Sequence, residues 1–69
     1  MSRVISKRAA ATRVALLEAA LEEFSAFGFR RTSMESVARR AGVSRATLYL
    51  YWKSKDALFR DLVEQTHED

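Results

Sequence analysis

The chain has 69 residues, 48% of them hydrophobic and 30% charged, with a formal net charge of +3, no cysteine, no proline and two glycines. That length holds one small domain, and the lack of cysteine excludes disulfides and thiolate metal sites. No apolar run approaches about 20 residues and the N-terminus has no signal-peptide core, so a membrane span or a signal-directed secreted chain is not expected.

An all-α domain of three to four short-linked helices, in the cytoplasm and without cofactor or metal, is the expectation. The single histidine, His67, lies in a polar tail with no second histidine to share a metal. Charge is distributed in blocks. Residues 1–13 carry Arg3, Lys7, Arg8 and Arg13 without an acid, and residues 14–29 carry Glu18, Glu22 and Glu23. Residues 30–55 set seven bases against Glu35, and residues 56–69 set five acids against Arg60. Two basic blocks suit a polyanion partner; a solvated, solubilising surface is the plainer alternative.

Residues 1–6 read as a flexible basic arm. Lys7 and Arg8 fall where the dipole of a following helix disfavours cations, so with Arg3 they suit either an arm lying along phosphate or a frayed end. A helix is predicted over 7–27, because Val14, Leu17, Leu21, Phe24 and Phe27 recur at three and four residues with Ala20 beside them. Glu18, Glu22 and Glu23 take other positions, and Leu16 either widens the stripe or is partly exposed. Gly28 suits the residue after the C-cap, with Phe29 packing back on Phe24. Phe24, Phe27 and Phe29 are therefore placed in the core.

Thr32 and Ser33 compete to cap a second helix over 33–40. Thr32 forms a capping box with Glu35, whereas Ser33 puts Glu35 in the first turn. Either arrangement presents hydroxyls and helix N–H groups that can hold a phosphate, with a pure capping role as the alternative. Met34, Val37, Ala38 and Ala41 give this helix one apolar face. Gly42 can adopt the left-handed conformation that closes it.

Ser44 then caps a third helix over 44–52, with Val43 and Leu48 placed as a hydrophobic staple. Two short helices joined through a glycine-containing turn describe a helix-turn-helix, whose second helix can enter the DNA major groove. Arg45 can contact guanine O6 and N7, and Ala46 and the Thr47 methyl can touch a thymine methyl. The hydroxyls of Tyr49 and Tyr51 suit phosphate, although Tyr49 could instead lie half-buried against a neighbouring helix. Leu48 and Trp52 form the inner face.

Ser54 caps a fourth helix over 54–66, whose apolar stripe is Leu58, Phe59, Leu62 and Val63. Lys55 at its start is poorly placed for the dipole and well placed beside a DNA backbone. An enzyme is not expected, since cysteine, a Gly-rich phosphate loop and a non-terminal histidine are all missing. A helical protein-interaction module, docking through the fourth-helix stripe or the aromatic face of the third, is the competing reading.

The stretches LLEAALEEFSAFGFRRTSMESVARRAGVS (16–44) and RATLYLYWKSKDALF (45–59) resemble the N-terminal DNA-binding domain of the tetracycline-repressor (TetR) family of bacterial transcription regulators. The shared order is G-F-x-x-T-S, A-G-V-S, x-x-T-L-Y-x-x-aromatic and x-S-K-x-x-L-F. The resemblance implies a homeodomain-like fold and a dimeric repressor, occasionally an activator, that binds a palindromic operator. It also implies release of that operator when a small molecule occupies a C-terminal domain not contained in these residues. Arg45, Ala46 and Thr47 take the base-reading positions. Tyr49, Tyr51 and Lys55 take phosphate positions, as do Ser33, Met34 and Ser44, with Met34 limited to its backbone for want of a hydroxyl. Trp52 stands where phenylalanine is usual. These residues alone are expected to dimerise weakly and to expose part of the fourth-helix stripe.

Overall fold

The computed structural model describes the backbone from Ser2 to Thr66 and the side chains from Thr12 to Gln65, so His67 lies outside the described residues. Four helices follow one another: α1 (Ser2–Arg31), α2 (Met34–Ala41), α3 (Arg45–Tyr51) and α4 (Lys55–Thr66), with no strand among the described residues. Helix α1 packs on both α2 and α4, and α2 packs on α3. The two middle helices form the helix-turn-helix; the outer two are its frame.

Helix α1 starts at Ser2 rather than Lys7, so the backbone of residues 2–6 is helical. No glycine or proline interrupts the chain before Gly28, and three consecutive alanines at 9–11 favour propagation of the helix toward the N-terminus. The break comes at Gly28, whose φ of 85° and ψ of 164° lie in a region essentially restricted to glycine. A last short turn carries the chain to Arg31, closed by the Thr32 N–H donating to the Gly28 carbonyl at 3.2 Å.

The buried face of α1 is centred on Leu16, Leu17, Ala20 and Phe24. Leu16 is fully buried, while Val14 is 52% exposed and Leu21 and Phe27 are also exposed. The expected stripe was therefore displaced around the helix. Apolar residues occupy two adjacent stripes of α1, and periodicity alone does not say which one neighbours will cover. Packing against α2 and α4 together selects the stripe through Leu16 and Ala20. Phe27, just before the break, is exposed instead of in the core, whereas Phe29 returns after the turn to stack on Phe24 at 5.7 Å, as expected. Phe59 from α4 meets both rings edge-on, at 5.1 and 5.2 Å.

Glu23 is also buried, which its position beside Phe24 did not suggest. Its carboxylate accepts from Arg40 Nε at 2.6 Å, and Arg40 Nη1 also reaches Glu22 at 3.1 Å. The pair clamps α1 to α2, and the guanidinium holds the Glu23 carboxyl below its ordinary range in spite of burial. From α4, Leu58 and Leu62 enter the core, leaving Phe59 and Val63 partly exposed along an apolar groove.

Candidate nucleic-acid interface

Two caps fix the helix-turn-helix. Gly42 has φ 77° and ψ 27°; its N–H donates to the Arg39 carbonyl, and that of Val43 to Ala38 at 3.0 Å. This double closure ends α2 while satisfying carbonyls that the helix leaves open. Two residues later Ser44 caps α3, its Oγ accepting from the Thr47 N–H at 3.1 Å and donating to Thr47 Oγ1 at 3.0 Å. Leu48 and Trp52 anchor the inner face of α3 in the core.

The outer face of α3 is open. Arg45, Ala46, Tyr49 and Leu50 are exposed and lie at i, i+1, i+4 and i+5, so they share one side of the helix. Leu50 is 84% exposed, an extreme value for leucine, and the sequence reading did not single it out. Its signal was available: with Leu48 and Trp52 turned inward, Leu50 must point away from them. Thr47 is half-buried, with its hydroxyl engaged by Ser44. Tyr51 is half-buried, its ring 5.6 Å from that of Trp52.

At the start of α2, Ser33 is the N-cap. Its Oγ accepts from the Ser36 N–H and Ser36 Oγ accepts from the Ser33 N–H, both at 3.0 Å. Ser36, not Glu35, therefore closes the box. Met34 is buried by its side chain, and its N–H, like that of Glu35, has no acceptor within the helix. Ser33 and these N–H groups remain suitable for phosphate.

Two expected phosphate contacts are placed elsewhere. Thr32 is only 2% exposed, and its hydroxyl donates to the Glu23 carbonyl at 3.1 Å, tying the loop to α1. Lys55 Nζ donates to the carbonyls of Phe29 at 2.7 Å and Thr32 at 2.9 Å, and sits 4.3 Å from the Phe29 ring centroid. Both carbonyls lie beyond the break in α1 at Gly28, and Lys55 reaches across from the start of α4 to take them. The side chains of Arg3, Lys7 and Arg8 lie outside the described residues.

The far end of α3 is held by Asp61. Its Oδ2 accepts from Trp52 Nε1 and from Arg13 of α1, and these bonds, Trp52 first, keep the carboxyl below its ordinary range. Among the described residues no group of histidine, cysteine, aspartate and glutamate could hold a metal, and no helix is long and apolar enough to cross a membrane.

A short helix capped at both ends, buried on one side and projecting Arg45, Tyr49 and Leu50 on the other, defines a helix-turn-helix domain of the type that docks on duplex DNA. Residues 16–62 match the pattern of bacterial regulatory proteins of the tetR family, and the chain belongs to that family. It is 43% identical over 60 residues to the HTH-type transcriptional regulator RutR of Escherichia coli K12, covering 87% of this chain and 28% of RutR. With the HTH-type transcriptional regulator AcrR of Shigella flexneri it shares 38% identity over 64 residues, 93% of this chain and 30% of AcrR. With the uncharacterised HTH-type regulator YdgC of Bacillus subtilis it shares 38% over 56 residues, 81% of this chain and 29% of YdgC. The chain thus spans less than a third of the length of these curated relatives. No solved structure gives a significant match.

Proposed function

We propose that this chain is the operator-binding domain of a TetR-type transcription regulator, most often a repressor, that inserts α3 into the major groove of double-stranded DNA. The observation that carries this reading is the outer face of α3. It combines a guanine-reading side chain (Arg45), a surface for thymine methyls (Ala46 and Leu50) and a phosphate-directed hydroxyl (Tyr49) on a helix rigidly capped at both ends. Ser33, Ser44, Tyr51 and the first N–H groups of α2 fit contacts to the flanking backbone. In the whole regulator a homodimer would place two such helices on a palindrome, and a small ligand bound elsewhere would govern release. The setting for this activity is the bacterial cytoplasm.

The test is selection of bound duplexes from a random pool, followed by affinity for the winner and for a scrambled duplex at two salt concentrations. An enriched half-site, held more tightly than the control, is expected, with log K falling by about 0.9 per phosphate contact for each unit of log salt. Arg45→Ala should remove about 1–3 kcal/mol of preference at one base position. Equal loss on selected and scrambled duplexes would refute base reading by Arg45. Binding to a protein partner with no affinity for DNA would favour the interaction-module reading instead.

A further inference from the structure

Between Glu23 and Asp56 the sequence has one acid, Glu35, among seven bases. It stands at the second position of α2, on the side facing α3. Its two oxygens are divided between two arginines: Oε2 lies 3.6 Å from Arg39 Nη2 and Oε1 lies 3.8 Å from Arg45 Nη1. The side chains of Glu35 and Arg45 are 62% and 63% exposed, so the contact is open to whatever approaches α3. Capping does not require Glu35, because Ser33 and Ser36 close the box between themselves. On a surface that faces phosphate, a carboxylate weakens binding to every duplex alike.

We propose that Glu35 is a specificity-determining residue that acts through Arg45, an inference resting on the DNA-binding reading above. On any duplex the carboxylate repels nearby phosphate. On a cognate site it also steadies the Arg45 guanidinium from behind while the other edge meets guanine, and this support offsets the repulsion. A scrambled site offers Arg45 no such acceptor, so there the repulsion stands alone. Glu35 therefore widens the gap between cognate and non-cognate DNA without adding affinity for either. The pairs are exposed and longer than hydrogen bonds, which keeps them weak enough to rearrange when DNA arrives.

The test compares the unmodified chain with Glu35→Gln, Arg45→Ala, the double variant and Glu64→Gln, each measured on the selected duplex and on its scramble. Glu35→Gln is expected to tighten binding to the scrambled duplex by roughly 2- to 5-fold, the range of one exposed charge pair. It should leave the selected duplex nearly unchanged, so the affinity ratio falls by the same factor. In the Arg45→Ala background the same change should leave the ratio where it was. Glu64→Gln, an equal change of charge on α4, should not move the ratio. An unaltered ratio in Glu35→Gln, or an equal fall with Arg45 absent, would overturn the proposal and leave Glu35 an ordinary surface charge. Failure of the unmodified chain to discriminate between duplexes would instead refute the DNA reading on which the proposal stands.

Discussion

The indole N–H of Trp52 donates to Asp61 Oδ2 at 2.8 Å, joining the residue that caps the end of α3 to the middle of α4. Phenylalanine in place of Trp52 would fill only part of the same hydrophobic space and could not make this bond. Asp61 also accepts from Arg13, so one carboxylate joins α1, α3 and α4.

Removing either partner should therefore cost stability by different amounts. Trp52→Phe leaves Asp61 paired with Arg13 and should cost about 1–2 kcal/mol. Asp61→Ala strands the buried indole N–H and frees Arg13, and should cost more, about 2–3 kcal/mol. Urea midpoints measure both; a larger loss in Trp52→Phe would show that ring packing, not the hydrogen bond, dominates there.

Acid should loosen the frame that holds the helix-turn-helix. Glu23 and Asp61 both titrate below their ordinary values of 4.5 and 3.8. In the window between, the unfolded chain binds protons that the folded chain refuses, so stability falls as pH drops through the folded values. The urea midpoint should be level above about pH 5 and decline below about pH 4. In Arg40→Gln the Glu23 share of that decline should vanish. A midpoint that stays level to the lowest measurable pH would contradict this account.

Lys55 should behave as a structural residue. Its ammonium satisfies the carbonyls of Phe29 and Thr32, which lie where Gly28 has broken the helix. Lys55→Met should retain much of the stem packing and still lose about 1.5–3 kcal/mol, because two carbonyls lose a charged donor. A pure phosphate contact would instead leave thermal stability alone and flatten the salt slope of binding by about 0.9. Thermal unfolding and a salt titration on the same variant separate the two roles.

Leu50 should show the reverse behaviour. Leu50→Ala removes no buried contact, and stability should stay within about 0.5 kcal/mol of the unmodified chain. Repeating the duplex selection with this variant should shift the preferred base at one position, where a thymine methyl meets the leucine. An unchanged selection profile would remove Leu50 from the reading surface.

The helix-turn-helix was legible because local chemistry determines it. Gly42, Ser44 and Ser54 act through contacts within a few residues, and each does what its position in the sequence suggested. Side chains whose role depends on distant partners were less legible. Nothing near Glu23 in sequence reveals Arg40, and nothing near Lys55 reveals the carbonyls of Phe29 and Thr32 that it takes. For the same reason Thr32 looked like a surface hydroxyl until the fold brought Glu23 over it. The buried stripe of α1 was ambiguous at the sequence level because two adjacent rows are apolar. With α2 and α4 present, Leu16 widens the buried stripe and Val14 is left outside it.

The division of α3 into an anchored inner face and an open outer face has an evolutionary consequence. Leu48 and Trp52 hold the helix in place, whereas Arg45, Ala46 and Leu50 project from the fold. Substitutions at those three outward positions can drift almost freely with respect to folding, so a gene duplicate could acquire a new target site in single steps without passing through an unstable intermediate. The same separation lets an engineer randomise positions 45, 46 and 50 in one library and expect most members to fold.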